Sequence, residues 1–92
     1  MSKEKTKVLK VSGSSPTKET AGSIVKTYED GFTDIELRAI GASSVNQMFK
    51  AMATASSIFA QKGKVLSFRP GYDVAEINGE DKTVLIARVI VE

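Results

Sequence analysis

Hydrophobic positions along this chain switch between two rhythms, and each switch marks an element boundary. In KVLKVS, residues 7–12, Leu9 and Val11 alternate with polar neighbours, which predicts a first strand. The run SGSS then reads as a loop, with Ser15 as the N-cap and Pro16 as the first residue of a helix. Thr17, Ala21, Ile24, Val25 and Tyr28 recur at helical spacing, and Gly31 supplies a C-terminal stop, so helix one is expected over about Pro16 to Asp30. In FTDIELRAI the two-residue rhythm returns. Ile35, Leu37 and Ala39 point one way, while Asp34, Glu36 and Arg38 point the other.

Helix two is expected from Ala42 to Lys62. On a helical wheel Ser43, Asn46, Gln47, Lys50, Thr54, Ser57 and Gln61 share a polar stripe, largely opposite Val45, Met48, Phe49, Met52, Ala55 and Phe59. Ser44 and Gln47 have capping-box spacing, although the wheel also allows a start at Gly41. Gly63 ends the helix. KVLSFRPGYDVAEI is extended, with a bend or bulge expected at Pro70-Gly71. NGED supplies a hairpin turn, and KTVLIARVIV is a last, β-branched strand. The order is βαβαββ. Right-handed crossovers then give an α/β, two-layer sandwich: a mixed four-stranded sheet with both helices on one face. Residues 1–6 are expected to form a flexible basic tail and residues 7–92 a single domain.

Composition narrows the chemistry. The 92 residues contain no Cys and no His. A thiol nucleophile, a thiolate metal site and an imidazole proton shuttle are all excluded. The carboxylate pairs Asp34/Glu36 and Glu80/Asp81 lack a third ligand-spaced group and read as surface charges. No enzyme, metal or cofactor is expected. The longest apolar run, Val84 to Val91, is interrupted by Arg88 and is too short for a membrane span. The basic start lacks a signal peptide's apolar stretch, so a cytoplasmic location is expected. The formal net charge of +2 is uneven, because residues 1–10 hold four Lys and one Glu. The remaining 82 residues carry a net of −1. Any affinity for polyanions therefore rests on local clustering.

Three such clusters stand out. Where strand two meets helix two, free N–H groups and the helix dipole favour an anion. Gly41 allows close approach, Ser43 and Ser44 add hydroxyls, Arg38 lies on the polar side of the strand, and Asn46 and Lys50 sit one turn apart on the exposed stripe. The first loop offers Ser12, Ser14 and Ser15 beside Lys18, but lacks the G-x-x-x-x-G-K-[ST] pattern of a nucleotide-binding loop. Lys10 joins Lys3, Lys5 and Lys7 in a basic N-terminal run. Together these could hold backbone phosphates. Each also has a plainer reading as a helix cap, a tight turn or a solvated charge.

VSGSSPTKETAG and IELRAIGASSVNQMFKAMATA resemble the stage V sporulation protein S family, as does Ile77-Asn78-Gly79-Glu80 before the last strand. The likeness extends from Leu9 to Val91. That family is similar to the Alba-like fold, whose archaeal members are dimeric, chromatin-associated proteins that bind DNA and RNA. The resemblance implies a βαβαββ Alba-like domain, a homodimer, backbone contacts to DNA or RNA, and a part in sporulation. Two departures matter. Archaeal members commonly place a Lys pair where Ser14 and Ser15 stand here. Their hairpin arm is typically basic, whereas residues 69–82 carry two bases against four acids, a net of −2. The acidic arm keeps open an alternative: a regulatory adaptor that binds a protein partner on the same scaffold.

Overall fold

The computed structural model describes residues 6–92. The element order is β1 (Thr6–Val11), α1 (Thr17–Glu29), β2 (Asp34–Ala39), α2 (Ala42–Gln61), β3 (Leu66–Ile77) and β4 (Glu80–Val91). The strands form one mixed sheet in the order β1-β2-β4-β3. β1 runs parallel to β2, while β4 is antiparallel to both β2 and β3. This is the expected α+β, Alba-like arrangement. β1 begins at Thr6, one residue before its sequence-based start. The basic tail expected at the N-terminus otherwise lies outside the described residues.

The alternation in β2 selects the buried face. Ile35, Leu37 and Ala39 are at most 2% exposed, and their cross-strand partners Val89 and Ala87 are buried beside them. Ala21, Ile24 and Val25 of α1 cover this surface together with Met48, Ala51, Met52, Ala55 and Phe59 of α2. Both helices therefore share one face and one core. Tyr28 and Phe59 meet edge-to-face, with ring centroids 5.3 Å apart. Among the described residues no helix is long and apolar enough to cross a membrane.

Three local expectations are corrected. Pro16, not Ser15, occupies the N-cap position of α1, and among the described residues it makes no side-chain cap hydrogen bond. Ser15 Oγ instead accepts the Ser12 backbone N–H at 2.9 Å, closing the loop on itself. The Ser44–Gln47 capping box does not form, because α2 starts one turn earlier with Gly41 as its N-cap. Gln47 Nε2 donates to the Ser15 carbonyl at 2.7 Å. Finally, Pro70-Gly71 makes no bulge, and β3 pairs with β4 in unbroken register from Leu66↔Val91 to Ile77↔Glu80. β3 is an edge strand, so a residue without an N–H can face outward and leave the ladder intact.

Candidate nucleic-acid interface

Two turns of backbone meet at one end of the sheet. The first loop leaves β1, and α2 leaves β2 beside it. Gly13 packs so closely on Ser43 that a Cβ would overlap the serine side chain. Gln47 ties the two together through Ser15 O and, at 3.4 Å, Thr17 Oγ1. Lys50 Nζ in turn donates to Gln47 Oε1 at 3.1 Å. The expected cluster is thereby linked into one patch: Ser14 and Ser15 of the loop, and Gly41, Ser43, Ser44 and Lys50 of α2. Asn46 and Lys18 are exposed on α2 and α1 and make no side-chain hydrogen bond among the described residues.

Gly41 creates the exposed helix start. Its φ of 90° and ψ of 157° fall in a region that side-chain-bearing residues avoid. Its carbonyl accepts the Val45 N–H at 3.0 Å, so the preceding N–H groups of the first turn have no helical acceptor. The first turn contains no acidic residue. Ser44 is 9% exposed, and its hydroxyl has no partner among the described residues. Ser44 does not cap the helix; it lines a groove beside the helix start. Lys10, Ser12 and Arg38 line that same groove.

Arg38 is less available than its place in the strand suggests. Its Nε donates to Glu36 Oε2 at 2.6 Å, and its Nη2 lies 3.4 Å from Asp73 Oδ2 on the hairpin. The hydrogen bond that Arg38 donates to Glu36, with the nearby charges of Glu36 and Asp73, outweighs desolvation and holds the guanidinium pKa above its ordinary value. Glu36, only 8% exposed, also meets Arg88 Nη2 at 3.4 Å, and Arg88 Nη1 lies 3.7 Å from Asp34. A chain of alternating charges therefore crosses the helix-free face of the sheet. The i, i+2 spacing of Glu36 and Arg38 signals their shared face. Arg88 and Asp73 carry no such signal, because only strand order and hairpin register bring them there. Lys10, Lys18 and Arg69 have no ion-pair partner among the described residues.

A second surface lies on the helix side of the hairpin and the adjoining flank of α2. Phe49 is 58% exposed, Tyr72 74%, Val74 56% and Leu85 40%. Tyr72 and Leu85 are direct cross-strand partners, and Phe49 stacks edge-on against Phe68 at 5.8 Å. Sequence periodicity places Phe49 on the apolar side of α2, but the structure leaves it uncovered. Large apolar side chains left exposed on one face are characteristic of interaction surfaces.

The sequence matches the family described as stage V sporulation protein S over residues 7–92. Among solved structures, Alba from Thermoplasma volcanium superposes with a TM-score of 0.62 at 13% sequence identity. The match covers 94% of this chain and 99% of that one. At this identity the likeness establishes the fold.

Proposed function

The chain belongs to the stage V sporulation protein S family, and from that premise we propose a non-enzymatic regulatory protein that binds the backbone of DNA or RNA. It reads little sequence, because phosphate contacts position a protein without specifying bases. The observation carrying this reading is the exposed start of α2. Its first turn lacks acidic residues, and Lys10, Lys18 and Lys50 around the same end have no carboxylate partner among the described residues. Gly41, Ser43, Ser44 and Asn46 supply donors from α2, with Ser14 and Ser15 from the loop. Arg38 contributes less, since Glu36 and Asp73 already hold it. The protein acts as a homodimer through the Phe49–Tyr72–Val74–Leu85 surface, which doubles the number of phosphate contacts.

Fluorescence anisotropy with short labelled DNA and RNA across a salt series tests this reading. Binding should be weak, with a Kd of about 1–100 μM at physiological salt, and should fall linearly on a log–log plot. Lys50→Glu should lower the affinity and reduce the slope by about 1. A folded protein that binds neither nucleic acid at low salt would overturn it. The adaptor reading would then take over, favoured by the acidic hairpin residues Glu76, Glu80 and Asp81 beside exposed Tyr72 and Val74.

A further inference from the structure

The groove between the base of the hairpin and the start of α2 has a volume of about 490 Å³, within the range of small-ligand pockets. Its two ends differ in chemistry. One end is polar. Ser44, only 9% exposed, lines the groove, and its hydroxyl has no partner among the described residues. The uncapped first turn of α2 stands behind it, and Lys10 reaches the same space with no ion-pair partner among the described residues. The other end is apolar. Ile40 and Ile77 form its walls, and Val84, 3% exposed and outside the main core, lies against it.

We propose that this groove binds a small amphipathic monocarboxylate, a short aliphatic or aryl acid. Its carboxylate accepts from Ser44, the α2 first turn and Lys10, and its apolar body lies along Ile40, Ile77 and Val84. Charge selects the class. Arg38 is already matched by Glu36 and Asp73, so Lys10 leaves one positive charge to satisfy. A dianionic phosphate would bring two charges to a groove in which only Lys10 is left to meet them. A nucleobase would find no aromatic ring to stack on. The site goes beyond polyanion capture, and its test contains no nucleic acid.

Hexanoate titrated into the labelled protein, followed by amide NMR, tests the assignment. Saturable shifts should appear at Ser12, Ile40, Ser44, Ala75 and Ile77. Lys10→Gln should weaken binding about tenfold, as expected for one charge-assisted hydrogen bond. Ala75 also lines the groove, so Ala75→Phe should abolish binding by filling it, and the milder Ala75→Leu serves if the phenylalanine variant does not fold. Neutral hexanamide binding as tightly as hexanoate would overturn the proposal. So would inorganic phosphate matching hexanoate at the same amides. Shifts confined to Phe49, Tyr72 and Val74, or no saturable shifts at all, would also overturn it.

Discussion

Single residues set the geometry of the candidate site, and two glycines do so in different ways. Gly41 has open space where a Cβ would stand, so its requirement is torsional. Gly41→Ala should cost about 1–3 kcal/mol, read as a shift in the urea midpoint, by forcing a side chain into a glycine-only region. Gly13 is a steric case, hemmed in by Ser43. Gln47 is the polar tie between loop and helix. Gln47→Ala should cost about 1 kcal/mol in the same measurement, since the Ser15 carbonyl loses its donor. Arg38 acts on the opposite face. Its raised pKa means that the charge, and the stability it contributes, persist throughout the range in which the protein is handled; they are lost only as pH rises through the folded value. Arg38→Gln should therefore lower the melting temperature without introducing a new pH dependence below that limit. At this scale the sequence identified Ile35, Leu37 and Ala39 as core because alternation follows directly from backbone pleat. It missed Asp73 and Arg88 as partners, because cross-strand neighbours depend on a register that local periodicity does not encode.

The hairpin illustrates what an element can reveal. Asn78 and Gly79 have φ of 53° and 78°, the paired left-handed geometry that tight hairpins need. Asn-Gly is the commonest local signal for that turn, so it was legible from two letters. Asn78→Ala should cost about 1 kcal/mol in thermal unfolding, because alanine tolerates this conformation poorly. Pro70-Gly71 is a subtler case. A proline inside a strand suggests a bulge only if the strand is interior, and β3 lies at the sheet edge. There the proline removes one outward N–H that another chain could use. Pro70→Val should leave the β3–β4 register unchanged in amide NMR and increase concentration-dependent aggregation. The helix caps were misread for a related reason. Ser15 and Ser44 have the right chemistry for capping, but neighbouring groups claim Ser15, and α2 begins before Ser44.

Across the whole molecule, the βαβαββ order, the sheet and the single core followed from periodicity and loop length. The uncovered hairpin surface did not. A helical wheel marks Phe49 as apolar, but cannot distinguish a side chain buried within one subunit from one awaiting a neighbour. Tyr72→Glu should shift the protein from dimer to monomer in sedimentation equilibrium while preserving its far-ultraviolet circular dichroism. If the wild-type chain sediments as a monomer at micromolar concentration, the dimeric reading fails.

The central position of β4 has a temporal consequence. The strand synthesised last of the four fills the space between β2 and β3, and backbone bonds of 2.7 and 3.0 Å join Glu92 to Val65 beyond it. Until that strand is in place, the parallel β1–β2 pair keeps an open flank and β3 has no sheet neighbour. Closure of the sheet therefore waits on one insertion, which zips the two halves shut.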